Sequence, residues 1–304
     1  MINSVTVINH RGESKKFVLA DPEQSGFAIT NITGLGPPNA DIHTTELSSN
    51  DGAVYNSARA TSRNIVISFV FFFSPTIEAV RLESYKFFPI KKFVILQIET
   101  DTRTYIARGY VESNTPTIFS NQEGCDISIL CPSAYFNAID KLGEYSGEVA
   151  NLSKFEFPFS NESLSGNMIE FGIIRQMSDF EIFNPSTVET GFVLRLRLIK
   201  PSERLYTIIL YKLGTDETMV FTLSRLPGGG MQIDDELVVS TIPGSKRASL
   251  LRNGELLSAN AALSRNSKWL QLDPGINAFR LNVPLADLSV FEISYEFSPL
   301  YEGV

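Results

Sequence analysis

The stretch from residue 63 to residue 73 carries apolar side chains at both of its alternating sets of positions. One set is Ile65, Ile67, Phe69, Phe71 and Phe73, and the other includes Val66, Val70 and Phe72. Successive side chains of a β-strand point to opposite faces of a sheet, so a strand with one wet face alternates between apolar and polar residues. The pattern therefore predicts a strand that is covered on both faces.

The second apolar face of this strand can be buried in two ways. The face either lies inside a two-sided core of its own domain or packs against another copy of the chain. We take Val66, Val70 and Phe72 as candidate contacts between subunits, because another chain could cover this second apolar face. The plain core assignment stays open beside it.

The rest of the first half predicts further strands and a helix. Pro75 follows a serine and precedes Glu78, which is typical of a helix start, and Pro89 marks the helix end. The polar segment 39–60 contains the hairpin signal Asp51–Gly52 and is long for a loop in a compact domain. We expect this segment to have a function or to pair with a partner.

The second half predicts short antiparallel strands at regular spacing. The strand Phe192–Leu198 alternates apolar residues with outward arginines, and residues 291–297 alternate in a similar way. Asn253–Gly254 lies between two apolar pairs and is a strong signal for a tight hairpin. Many short strands with turn signals are typical of a β-sandwich, so we predict a mainly-β fold.

Composition limits the classes of protein and partner. The chain has 304 residues, of which 43% are hydrophobic and 20% charged, and this suits two globular domains. Its formal net charge is −8 without a basic stripe, so we expect no nucleic-acid partner. The apolar runs fall short of the roughly 18 residues of a membrane span, so we expect no membrane insertion. The N-terminus shows no secretory signal.

Cys125 and Cys131 flank a predicted strand. Six residues of strand span roughly 20 Å, well beyond the 7 Å or so that limits a disulfide. We therefore expect two free thiols that fill the core, as in a protein made in a reducing compartment.

The residue types that could carry chemistry form no recognisable site. His10 and His43 are far apart in sequence and, with the cysteines, do not make a zinc site. The glycine-rich segment 226–230 lacks the lysine and the following helix of a phosphate-binding loop. The acidic run 234–236 lies between strand-like segments, and an exposed turn explains it more simply than a hydrolase carboxylate pair. We predict no enzyme and no cofactor or metal site.

Two features of the predicted sandwich could bind a ligand. Trp269, the only tryptophan, could stack on a sugar ring and is the candidate saccharide contact, although a core position is the favoured alternative. Arg195 and Arg197 project from one strand face and could hold an anionic partner, with an ordinary solvated face as the alternative.

A series of short motifs along the chain has the order and spacing of a known family. The motifs are Ile32–Pro38, Asp51–Ala53, Arg63–Ile67, Tyr85–Pro89, Gly109–Glu112, Ile127–Pro132, Tyr135–Phe136, Leu272–Asn277 and Tyr301–Val304. Together they resemble the distal tail proteins of long-tailed, non-contractile bacteriophages and prophages. The resemblance covers nearly the whole chain and is specific mainly over residues 27–136.

The resemblance implies a structural protein of the virion, located at the tip of a phage tail and synthesised in the bacterial cytoplasm. It implies that residues 1–138 form a ring-forming tail-hub domain, built as a β-sandwich or split barrel with one helix. It also implies that residues 139–304 form a galectin-like, jelly-roll β-sandwich. The family has no catalytic residues to assign to this chain.

The resemblance also implies a function and its partners. The chain would form a homo-hexameric ring and act as an adaptor between the tail tube protein and the tail-tip protein, with a receptor-binding protein or a host saccharide as further partners. The alternative function is a carbohydrate-binding module that contacts the host cell envelope, and an enzyme comes third. A component of a contractile or domesticated tail-like particle also stays open.

Overall fold

The computed structural model describes residues 1–48, 51–72, 76–119, 121–140, 145–148, 177–201, 205–284 and 290–304. The chain divides into two compact units, the first comprising Met1–Gly143 with Pro299–Val304 and the second comprising Glu144–Ser298. Strands dominate both units, so the predicted mainly-β class is confirmed.

The first unit is organised by a nine-stranded, antiparallel sheet. Its strands are β1 (Ile2–Ile8), β2 (Ser14–Val18), β3 (Phe27–Thr33), β6 (Arg63–Phe71), β7 (Phe93–Thr100), β8 (Arg103–Thr117), β9 (Gly124–Cys131), β10 (Phe136–Asp140) and β21 (Leu300–Tyr301). The main path runs β2-β1-β7-β8-β9-β6-β3, and β10 pairs with both β8 and β21. The rings of Phe17 on β2 and Phe27 on β3 lie 5.4 Å apart, so the sheet curls until its two edges approach.

The core of the first unit lies on the inner side of this curled sheet. Alternate residues of β6 from Ile65 to Phe71 are buried, as the period-two pattern predicts. Phe17, Phe27, Phe69 and Phe88 form a cluster of aromatic rings with centroids 5.0–6.3 Å apart. These contacts fix which face of β6 belongs to the core.

A helix, α1 (Ile77–Phe87), lies where the sequence predicts one. Thr76 is its N-cap, and the Thr76 hydroxyl accepts a hydrogen bond from the Ala79 amide at 3.2 Å. Val80, Ser84 and Phe87 are its buried face, in agreement with the helical spacing. The predicted start at Ser74 and Pro75 lies outside the described residues, and the cap is two residues later than that serine.

The polar segment after β3 forms a hairpin of two strands, β4 (Ala40–Glu46) and β5 (Ala53–Ala60). These strands pair with each other in a separate two-stranded sheet, and we call the pair the arm. The arm interrupts the chain between β3 and β6, which are themselves antiparallel neighbours.

The second unit is a β-sandwich of a six-stranded and a four-stranded sheet. The first sheet has the order β11 (Tyr145–Glu148), β20 (Phe291–Phe297), β13 (Phe192–Leu198), β16 (Glu236–Ser240), β17 (Arg247–Arg252) and β18 (Glu255–Ser258). The second has the order β12 (Met177–Asn184), β19 (Gly275–Asn282), β14 (Thr207–Lys212) and β15 (Thr218–Thr222). Inward residues of both sheets form one buried cluster, which includes Phe192, Leu196, Phe221 and Phe279.

The division of the chain differs from the predicted boundary between residues 138 and 139. The first unit extends to Gly143, and the last residues, from Pro299, also belong to it. β21 pairs with β10 in the sheet of the first unit, and Tyr301 is buried there. The second unit is therefore inserted between two strands of the first, an arrangement that sequence order alone does not reveal.

Candidate assembly interface

Val66 and Val70 of β6, and Phe72 directly after the end of β6, lie on the opposite side of the strand from the core, which we call the outer face. All three are half-buried, whereas the inner residues of β6 are buried. Small or polar neighbours explain the partial exposure, because Val70 lies between Ala28 and Gly124 across the sheet. The three predicted residues therefore share a face on which each keeps part of its surface accessible within one chain.

The outer face continues onto β8 and β9, where the sequence predicts no contact residue. Tyr110 and Leu130 are directly paired, and 49% and 41% of their surfaces are exposed. The ring of Phe93 on β7 packs edge-on against Tyr110 at 5.8 Å. The alternation in Gly109–Glu112 and Ile127–Pro132 is the signal that could have identified both residues, because both alternating sets of β9 include apolar side chains.

A polar cluster lies beside these apolar side chains. The Glu112 carboxylate accepts hydrogen bonds from the Ser128 hydroxyl at 2.9 Å and from the Asn64 amide at 3.3 Å. Ser128 also lies 3.0 Å from the amide oxygen of Asn64. The outer face thus combines apolar contacts with hydrogen-bonding groups, as interfaces between proteins do.

One face of the arm is mainly apolar and the other is mainly polar. Ile42 pairs with Ala58, Ala40 pairs with Ala60, and Tyr55 lies on the same side beyond a bulge. Ile42 and Tyr55 expose 60% and 63% of their surfaces. Nothing in the described part of the chain covers this apolar face.

The opposite face of the arm is held by polar contacts. The Asp41 carboxylate lies 3.1 Å from the Arg59 guanidinium and 3.5 Å from the His43 ring. The Asn56 amide donates to the Thr45 hydroxyl at 2.6 Å. These groups suit contact with water, so the apolar face is the one that a partner would cover.

Arg63, the first residue of β6, is buried at the base of the arm. Its guanidinium donates hydrogen bonds to the carbonyl oxygens of Gly34, Gly36, Ala134 and Glu302. Burial lowers the pKa of Arg63, although an arginine stays charged at any physiological pH. Carbonyl oxygens from three separate segments therefore satisfy one buried cation.

The candidate ligand contacts of the second unit make contacts within their own chain. Trp269 is half-buried and packs against the sandwich core. Arg195 pairs with Glu236 at 3.1 Å and Glu296 at 2.8 Å. Arg197 pairs with Asp234 at 2.8 Å, so carboxylates of the same sheet face neutralise both arginines.

The glycine-rich segment 226–230 is a turn that surrounds an arginine. Arg252 donates to the carbonyl oxygens of Pro227 at 2.9 Å and Gly230 at 2.8 Å, and it forms a double ion pair with buried Asp235. Carbonyl oxygens that face a cation cannot hold a phosphate, which needs amide donors. Among the described residues, no three His, Cys, Asp or Glu side chains are grouped to hold a metal ion.

Comparison with known proteins identifies the fold. No protein-family model and no curated protein matches the sequence. The chain is similar to the crystal structure of the Dit protein of phage SPP1, a paradigm of the hub adsorption apparatus in phages that infect Gram-positive bacteria, with a TM-score of 0.65 and 14% identity over 97% of this chain and 98% of that chain. This chain has the Dit fold. The resemblance stated from the sequence is thus confirmed at the level of the fold.

A weaker similarity connects the Dit fold of this chain to a chain of the phage P2 baseplate in its activated conformation with Ca, with a TM-score of 0.45 and 13% identity over 97% of this chain and 98% of that chain. None of the helices in the described part of the chain is both long and apolar enough to cross a bilayer.

Proposed function

We propose that this chain is a structural protein of a phage virion and that it serves as the distal tail hub. Copies of the first unit form a homo-hexameric ring, which joins the tail tube protein to the tail-tip protein and carries receptor-binding proteins outward. The uncovered apolar face of the arm, on a chain with the Dit fold, is the observation that carries this proposal.

A partner would stabilise the arm on physical grounds. An isolated two-stranded hairpin is at best marginally stable in water, and this one exposes Ile42 and Tyr55 on one face. Packing that face against a neighbouring subunit removes apolar surface from water and stabilises the hairpin together with the contact.

A closed ring also requires two different patches on each subunit. A head-to-tail contact repeated around a rotation axis joins one patch to a second, unlike patch on the next copy. The arm offers one patch, and the outer face with Val66, Val70 and Phe72 offers the other. We propose this pairing as the contact between neighbouring subunits.

The proposal is tested by the mass of the protein in solution and by negative-stain imaging. We expect a particle of hexameric mass with a central channel. Ile42→Asp and Phe72→Asp place a charge in each patch and should yield folded monomers. Ser57→Asp, on the polar face of the arm, is the matched control and should keep the assembly.

Three results would contradict the proposal. A wild-type monomer that binds cell-wall saccharide through Trp269 would favour the carbohydrate-binding alternative. Hydrolysis of a host polysaccharide that disappears on changing one carboxylate would favour an enzyme. If Phe72→Asp is insoluble while Ile42→Asp assembles fully, the outer face is part of an ordinary core and not a contact between subunits.

A further inference from the structure

The arm is attached to the first unit through two short connections. Residues 34–39 lead from β3 into β4, and residues 61 and 62 lead from β5 into β6. The Thr61 amide donates to the Asn39 carbonyl at 2.9 Å across the base. The position of the arm therefore depends on how firmly the first connection is held.

The last residues of the chain hold that connection. The Val304 amide donates to the Leu35 carbonyl at 3.0 Å. Gly303 lies so close that an added Cβ atom would be 3.0 Å from the Leu35 oxygen and 3.4 Å from Gly36. We call residues 299–304 the C-terminal strap.

Arg63 joins the strap to the same connection. It donates to the Glu302 carbonyl of the strap and to the Gly34 and Gly36 carbonyls of the connection. Its guanidinium also stacks 4.2 Å from the ring centroid of Phe136. Withdrawal of Glu302 would leave a buried cationic donor without one of its acceptors, which is unfavourable.

The close approach of the connection to β6 makes its geometry specific. Gly34 has φ +82°, and an added Cβ atom would meet the Asn64 carbonyl oxygen at 2.0 Å. Only glycine fits this backbone conformation without strain. The connection therefore has one well-defined arrangement, and the strap packs against it.

We propose that the C-terminal strap sets the orientation of the arm, so that the arm is presented for assembly only while the strap is docked. The strap follows directly after β20, the last strand of the second unit, with Ser298 between Phe297 and Pro299. The second unit thus has a covalent connection to the base of the arm. This inference rests on the proposed function, because the arm is the assembly element.

The test measures the arm itself. Paramagnetic labels on Ser57→Cys in the arm and Glu78→Cys in α1 report their distance distribution, and the native cysteines are buried. In the full chain, diluted until it is monomeric, we expect a narrow distribution. Arg63→Met should broaden it about twofold or more, because the connection loses its buried hydrogen bonds. Arg108→Met, an exposed arginine of β8, is the matched control and should leave the width unchanged.

Two further variants keep the test decisive if Arg63→Met fails to fold. Gly303→Leu pushes a side chain against Leu35, and a chain that ends at Tyr301 removes Glu302 and Val304 while keeping β21. Broadening in either variant supports the proposal, and an unchanged distribution in folded variants overturns it. The readout is taken on monomers, so a wild-type chain that never assembles refutes the proposed function without deciding the role of the strap.

Discussion

At the scale of single residues, the neighbouring Asp234 and Asp235 show how burial decides what a carboxylate contributes. Asp234 exposes 69% of its side chain and pairs with Arg197 at the surface. Asp235 exposes 3% and forms a two-point ion pair with Arg252. The acidic run 234–236, for which the sequence favours an exposed turn, thus supplies ion pairs of Asp234 and Glu236 on the sheet face and one buried ion pair of Asp235.

Asp235→Asn should lower the free energy of unfolding by about 3–5 kcal/mol, because it leaves the Arg252 guanidinium buried without its counter-charge. Asp234→Asn, the matched control, should cost far less, because water already screens its ion pair. Urea denaturation at pH 7 measures both variants. Equal losses in the two variants would contradict this assignment.

The same pair predicts a dependence on pH. Burial raises the pKa of Asp235, but hydrogen bonds from Arg252 and the Gln232 amide outweigh it, so the pKa lies below its ordinary value. Asp235 therefore makes its full contribution to the free energy of unfolding above the unfolded pKa of about 4. This contribution is lost as the pH falls through the folded pKa. Unfolding free energies measured from pH 7 to pH 2 should show this loss in the wild type and not in Asp235→Asn.

The two cysteines give a third residue-scale prediction. Burial raises the pKa of Cys125 to about 12 and that of Cys131 to about 11, and both are free thiols. At pH 8 the folded protein should react with a thiol reagent more than about a hundredfold more slowly than free cysteine does, because the thiolate is the reactive form. Fast labelling of either thiol in the native state would show that the core is open there.

At the scale of elements, the cap of α1 is a local contribution that can be measured. Thr76→Ala should cost about 1 kcal/mol, because the Ala79 amide loses the hydroxyl that accepts its hydrogen bond. Thr76→Ser keeps the hydroxyl and should cost only a few tenths of that. Chemical denaturation of both variants checks the assignment, and an equal loss would show that the threonine methyl group matters instead.

The elements also show what the sequence can and cannot predict. The pattern of β6 predicts its inner face, because period-two alternation depends on the strand alone. The exposure of Val70 depends on the residues that face it from β3 and β9, and Ala28 and Gly124 leave room there. For the arm, the sequence predicts a polar segment with a hairpin signal but not its apolar face, because alanine and threonine give a weak apolar signal.

At the scale of the whole molecule, the main feature that the sequence does not predict is that the last residues of the chain belong to the first unit. The Arg63–Glu302 hydrogen bond joins residues 239 positions apart, and no local pattern marks such a pair. The motifs Ile32–Pro38, Arg63–Ile67 and Tyr301–Val304 are among those that carry the family resemblance. In the structure, the guanidinium of Arg63 contacts the other two motifs. This contact gives a physical reason for the three motifs to occur together.

This arrangement predicts that the end of the chain stabilises the first unit and not the second. Removing Leu300–Val304 takes away the buried side chain of Tyr301 and the Glu302 acceptor of Arg63. We expect the first unit to lose about 3–5 kcal/mol, as when a large buried side chain is deleted. The second unit keeps its own core and should be unaffected.

The chain contains a separate reporter for each unit. Trp269, the only tryptophan, packs in the second unit, and Cys125 and Cys131 are buried in the first. In a urea titration of the truncated chain, the midpoint of thiol labelling should fall while the midpoint of tryptophan fluorescence stays. Phe279→Ala, a core change in the second unit, should do the opposite. A truncation that moves only the fluorescence midpoint would mean that the last residues stabilise the sandwich, as their position in the sequence suggested.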